Sequence, residues 1–116
     1  MLFTYGTLMR GFSRHRFLLG TARLVGEARV QASLLDLRHY PGLVAGSGVV
    51  RGELYHLQVP EVLAAIDREE GYNFERRLTA VTRADGRRAR AWAYWYRGPR
   101  ERALPIPAGD WRTRWR

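Results

Sequence analysis

Cysteine and lysine are both absent from this 116-residue sequence. Without cysteine there can be no disulfide, no thiolate nucleophile and no cysteine-ligated metal. Without lysine there is no Schiff base, no phosphate-loop lysine and no lysine general base. The three histidines, His15, His39 and His56, fall in neither His-x-His nor His-Glu-x-x-His spacing, so no metal site is expected and each reads as a surface or packing residue. No apolar run approaches the roughly 20 residues of a membrane span. Met1-Leu2-Phe3-Thr4-Tyr5 lacks a charged leader and turns at Gly6, so it is too short for a secretion signal. The expectation is a cytoplasmic protein with no membrane contact. The glycines between Gly42 and Gly52 lack Gly-x-Gly-x-x-Gly, and Ser47 is not in Gly-x-Ser-x-Gly. Neither a nucleotide cofactor nor a serine nucleophile is expected.

What is present folds. Hydrophobic residues make up 46% of the chain, enough to bury a core without disulfides, and the length suits one domain over residues 1–116. The net charge is +9, carried on the basic side entirely by arginine. Most arginines are dispersed, as a solvated surface in an arginine-favouring composition would have them. Two stretches concentrate them: Arg83 to Arg90, and the tail from Arg97 to Arg116, where six arginines interleave with Trp111 and Trp115. These stretches keep open a second reading, an arginine-rich module binding nucleic acid or an acidic partner.

Along the chain, Leu2 to Tyr5 reads as a short strand and Phe12 to Leu19 as a short helix stopped by Gly20. Ala22 to Leu37 suits one long or two short strands, bent at Gly26. Tyr40-Pro41-Gly42 reads as a turn. Strands at 43–44 and 49–57 follow, separated by Gly46-Ser47-Gly48. The best helix begins at Pro60, which tolerates the first helical position, and stops near Gly71. Strands at 78–83 and 88–96 are joined by the hairpin signal Asp85-Gly86. The proline-bearing tail reads as an irregular strap. Strands, one helix, then a hairpin argue for α+β with a mostly antiparallel, strongly curved sheet.

The helix carries one carboxylate on the wrong face. At about 100° per residue, with Leu63 set at zero, Ile66 lies near −60° and Val62 near −100°. Glu70 falls near −20°, inside that apolar face, while Glu69 and Asp67 stand roughly 70° and 90° from its centre. Burial and the negative helix end both raise such a carboxyl toward neutral pH, where it can exchange a proton. The residues alone leave two alternatives open: the helix frays before Glu70, or an arginine pairs with it and makes it inert.

Four stretches resemble the γ-glutamylcyclotransferase-like (AIG2-like, BtrG-like) family. Phe3-Thr4-Tyr5-Gly6-Thr7-Leu8-Met9-Arg10-Gly11 is similar to its N-terminal Tyr-Gly-[Ser/Thr]-Leu signature. Tyr40-Pro41-Gly42-Leu43-Val44 with Gly48 and Gly52-Glu53-Leu54-Tyr55 resembles its middle section. Asp67-x-x-Glu70-Gly71-Tyr72 resembles its Asp-x-x-Glu-Gly motif, and Ile106-Pro107-x-Gly109-Asp110-Trp111 is similar to the tail of bacterial members. The resemblance implies a small mostly antiparallel β-barrel with flanking helices. It implies a cofactor-free reaction on a small-molecule γ-glutamyl substrate: the α-amine attacks its own γ-carbonyl, releasing 5-oxoproline and an amine or amino acid. Glu70 corresponds to the general acid–base. Tyr5, Gly6, Thr7 and Leu8 correspond to the substrate-binding loop. Phe74-Glu75-Arg76 stands where many members have Tyr-x-Arg. Leaving-group selectivity is expected from Tyr40, Tyr72, Phe74 and the tail, and the leaving group and oligomeric state are left open.

Overall fold

The computed structural model describes residues 1–114; Trp115 and Arg116 of the arginine-rich tail lie outside the described residues. Five strands form the wall of a barrel: β1 (Leu2–Thr4), β2 (Ala22–Asp36), β3 (Pro41–Leu57), β4 (Phe74–Arg83) and β5 (Arg88–Tyr96). They pair in the ring β1-β3-β2-β4-β5, which closes where Leu2 meets Trp92. All pairings are antiparallel except β1 with β5 and a one-residue contact of β3 with β5 at Leu43 and Trp95. The α-helix α1 (Val62–Glu70) connects β3 to β4, and a two-residue strand, β6 (Leu104–Pro105), pairs antiparallel with the end of β2. The expected α+β, mostly antiparallel barrel is observed.

Period-two alternation sorts the apolar residues into two cores. Phe3, Tyr5, Val30, Leu54 and Val81 point into the barrel, where the fully buried residues of β5 are the small Ala91 and Ala93, with Ala89 and Trp95 packed at the margin. Leu2, Tyr55 and Tyr94 point outward and form a second core with Leu18, Val62 and Ile66 beneath α1. This outer layer positions the site.

Several element boundaries differ from the sequence expectation. Pro41-Gly42 begins β3 rather than forming a turn. The reversal sits at Arg38, whose φ is +85° and whose amide donates to Asp36 Oδ1 at 2.7 Å. Gly46-Ser47-Gly48 does not break β3 but bulges from it. Ser33 pairs with Val44 and Gln31 with Val49, so 45–48 face Ala32 alone. A Cβ on Gly46 would come within 1.9 Å of Ser33 Oγ, so that stretch accepts no side chain at this point. β4 starts at Phe74, earlier than Leu78. α1 starts at Val62, and Pro60 and Glu61 form the turn before it. The short helix after Phe12 is a 3-10 turn over Ser13–Phe17. The Asp85-Gly86 hairpin is present, with Gly86 at φ +86°.

The tail is a strap, as read, but its tryptophan is internal. Trp111 is 1% exposed within the barrel core. Asp110 caps its turn by accepting from the Arg112 amide at 3.0 Å, and the Arg51 amide donates to the Gly109 carbonyl at 2.7 Å. Gly109 is needed for both its φ of +67° and its close pass over Val49, where a Cβ would lie 1.9 Å from the carbonyl oxygen. Trp111 is therefore not available to an external ligand. Among the described residues no helix is long and apolar enough to cross a membrane.

Candidate active site

The loop after β1 is shaped by glycine and held from several sides. Gly6 lies against Pro41, and a Cβ there would meet the proline ring at 2.7 Å. The Gly6 carbonyl accepts from the Met9 amide at 3.0 Å, and the Thr7 carbonyl from the Arg14 amide at 2.9 Å. The ring nitrogen Nδ1 of His15 lies 2.9 Å from the Leu8 carbonyl oxygen, which makes His15 a packing residue. Below the loop, Glu53 accepts from the Arg10 amide and guanidinium, both at 2.9 Å, and from the Tyr55 hydroxyl at 2.9 Å. Burial alone would raise the Glu53 carboxyl, but these donors outweigh it and hold it below the ordinary range. The amides of Gly6, Thr7 and Leu8 donate to no acceptor among the described residues. They are available to a ligand.

Tyr5 anchors the loop to the barrel. Its hydroxyl donates to the Tyr94 carbonyl and accepts from the Leu43 amide at 3.3 Å, tying β1, β3 and β5 together. Burial, and secondarily the charge of Glu70, push this phenol far above its ordinary range, so it is a donor and not a base.

Glu70 is the last residue of α1, and the helix does not fray before it: Gly71 terminates the helix with φ +73°, and its amide bonds the Asp67 carbonyl at 3.2 Å. The Glu70 side chain is 11% exposed, against 40% for both Glu69 and Asp67, as the helical geometry requires. The other open alternative, an arginine partner, is also present. Arg14 approaches Glu70 at 3.5 Å, and Glu69 at 3.5 Å as well. At that distance the pairing is loose, and desolvation wins. Burial pushes the Glu70 carboxyl up to about 7, against the lowering influence of Arg14 and with a further rise from Glu69. α1 can hold a strained carboxylate because Val62 and Ile66 are buried on the same face. Burying each is worth about 1.5–3 kcal/mol. Asp67, one turn earlier, pins the helix to the wall: it accepts from Arg76 at 3.0 and 3.2 Å and from the Tyr94 hydroxyl at 2.6 Å.

Glu70 and the whole Tyr5–Leu8 loop line one small cavity, with Arg14, Tyr40, Pro41, Phe74 and Tyr94 among its other walls. All five residues singled out from the sequence thus meet in one place. Tyr40 and Phe74 also belong to the wall, their rings 5.9 Å apart, whereas Tyr72 is 84% exposed and takes no part. Sequence reasoning missed Arg14 and Tyr94. Arg14 had no visible signal, since arginine is everywhere in this chain. Tyr94 lies on the outer face of β5 in the alternation Ala91, Ala93 inward and Trp92, Tyr94 outward, a pattern that could have been read. Among the described residues no group of three or more His, Asp or Glu side chains is arranged to hold a metal ion.

Comparison with known proteins agrees with this architecture. Residues 2–113 match the family model "Gamma-glutamyl cyclotransferase, AIG2-like". A Vibrio cholerae protein carrying the gamma-glutamylcyclotransferase name is 36% identical over 113 residues, covering 96% of this chain and 94% of its own. The gamma-L-glutamyl-butirosin B gamma-glutamyl cyclotransferase of Niallia circulans is 31% identical over 119 residues, covering 96% of this chain and 74% of its own. The solution structure of YtfP from Escherichia coli superposes with a TM-score of 0.72 at 33% identity, covering 99% of this chain and 98% of its own. With a match that runs nearly from end to end and a barrel shared with a solved relative, this chain belongs to the AIG2-like gamma-glutamyl cyclotransferase family.

Proposed function

We propose that this cavity converts a γ-glutamyl amine or amino acid to 5-oxoproline and the free amine, with Glu70 moving the protons. The observation that supports this most directly is a carboxyl held near pH 7 in the wall of a small cavity, facing a loop with three unpaired amides. The reaction has three needs, and the residues meet each. The substrate α-ammonium must lose a proton, which a carboxylate poised near neutrality accepts. The nitrogen lone pair then attacks the γ-carbonyl carbon, closing a five-membered ring, and the carbonyl oxygen gains negative charge. Amides of Gly6, Thr7 and Leu8 are suited to stabilise that charge. Collapse of the tetrahedral species breaks the bond to the departing nitrogen, which takes its proton from Glu70 and restores the carboxylate. Attack leaves two hydrogens on the ring nitrogen, and the restored Glu70 carboxylate takes the second and passes it to the freed amine, so that two protons leave the α-ammonium and two arrive on the departing nitrogen, which leaves as an ammonium.

Arg14 supplies the complementary charge for the substrate α-carboxylate. An entering carboxylate competes with Glu70 for the guanidinium 3.5 Å away. Losing that contact makes Glu70 a better base at the moment one is needed. The test is an assay of 5-oxoproline release from a panel of γ-glutamyl amines and dipeptides by wild-type protein and Glu70→Gln. Product from the wild type, reduced at least about 100-fold in the variant, is the expected result. Equal turnover by the folded variant would remove Glu70 from the mechanism.

A further inference from the structure

Arginines that the fold does not use gather on the outer wall of the barrel. Arg51 of β3 pairs with Arg29 of β2, Arg29 with Thr82 of β4, and Thr82 with Arg88 of β5. One row of side chains therefore crosses four adjacent strands with arginine at every position but one. Arg90 stands two residues along β5 on the same outer face. All four arginines are exposed, and among the described residues none makes a side-chain hydrogen bond or an ion pair. Nearby acids are engaged elsewhere. Glu27 is held by Arg112 at 2.8 Å, Asp110 by Arg112 at 2.9 Å, and Asp85 by Arg87 at 3.7 Å. Asp110 feels the charge of Arg51, but only as the weakest of the influences that lower it. Like charges directly opposite one another destabilise an antiparallel pair, so the Arg29–Arg51 pairing works against folding.

We propose that this row docks a flexible phosphodiester chain, the backbone of single-stranded RNA. Strands lie about 4.8 Å apart, so the positive charges recur at intervals of about 5 and 10 Å around a convex wall. A rigid duplex or a folded acidic protein meets a convex wall at one place. A flexible strand bends around it and sets successive phosphates on successive arginines. Beyond Arg90 on the same face, Trp92 carries the Arg76 guanidinium 4.5 Å above its ring, and exposed Leu78 pairs across from it. This gives unpaired bases a flat cationic and apolar neighbour. The row is separate from the cavity: Arg88 opens β5, whereas Tyr94 lies six residues on, about 20 Å along the strand.

The test is fluorescence anisotropy of a labelled single-stranded RNA of about 12 nucleotides with the full chain, titrated over salt. Three or four phosphate contacts at about −0.7 each predict a slope of log affinity against log salt of about −2 to −3. The triple variant Arg29→Gln, Arg51→Gln, Arg88→Gln should lose most of that slope. Its thermal midpoint should be unchanged or raised, and its 5-oxoproline release should equal the wild type's. If the triple variant fails to fold, Arg29→Gln alone carries the test, with an expected loss of about 0.7 in slope. No binding at low salt, an unaltered slope in the variants, or tighter binding of duplex than of single strand would overturn the proposal. Displacement of the RNA by polyglutamate at equal charge concentration would do the same, by pointing to an acidic protein instead.

Discussion

Replacing Glu70 with glutamine should make this protein more stable while disabling it, and the gain should depend on pH. The carboxyl stands at about 7 in the folded chain, against 4.5 for an ordinary glutamate, chiefly because it is buried. Between those two values the native protein holds a proton that the unfolded chain has already released. Folding stability therefore falls as pH rises across that window, and the loss is complete above about 7. At 1.36 kcal/mol per pH unit, the gap corresponds to roughly 3 kcal/mol. Glutamine keeps the shape and cannot ionise, so the variant should match the wild type near pH 4.5 and exceed it by roughly 3 kcal/mol at pH 8. For a chain of this length that is a rise in melting temperature on the order of 10 °C. Urea denaturation of both proteins at the two pH values measures it directly. A Glu70→Gln variant no more stable than the wild type at pH 8, or a difference that does not change with pH, would refute the claim that Glu70 is held against its own hydration.

Other consequences follow from the same geometry. In the wild type, kcat/KM should rise with pH through about 7 as Glu70 becomes the base form, and a pH–rate profile lacking that limb would count against it. Arg14→Gln should shift the limb to higher pH, because Arg14 lowers the Glu70 carboxyl, and should raise KM more than it reduces kcat. Gly6→Ala places a methyl 2.7 Å from the Pro41 ring. Displacing the loop from β3 should lower stability by about 1–3 kcal/mol and cut turnover, read by thermal melting and the product assay. Trp111→Ala removes a fully buried ring from the barrel and should lower stability by about 3–5 kcal/mol in chemical denaturation, with Glu70 and its loop untouched.

The parts of this molecule that could be read from its sequence are those governed by local geometry. Glu70 was legible because helical periodicity alone turns it toward Val62 and Ile66, whatever lies beyond them. The Asp85-Gly86 hairpin was legible because its turn demands a glycine at positive φ. Pro41 misled because proline between tyrosine and glycine fits a turn, but it equally starts a strand that needs no amide donor there. Gly46 misled because its role is a contact with Ser33, a partner that no local pattern announces. Trp111 was read as part of an open strap. Its burial depends on the small Ala91 and Ala93 at the middle of the inner face of β5, which leave room for a tryptophan from the tail. The Arg14 approach to Glu70 depends on packing the 3-10 turn against α1, a tertiary fact with no sequence period.

Closing the ring through β1 has a consequence for synthesis. The Tyr5 hydroxyl bonds the carbonyl of a residue 89 positions later, and β1 pairs on one side with β5. At about 5–20 residues per second, the Tyr5–Leu8 loop emerges from the ribosome roughly 5–20 seconds before the strand that seats it. During that interval Leu2, Phe3 and Tyr5 have no barrel to enter, and they form an apolar segment suited to chaperone capture. A nascent chain stalled between Glu70 and Tyr94 would carry both Glu70 and its loop without the strand that seats them.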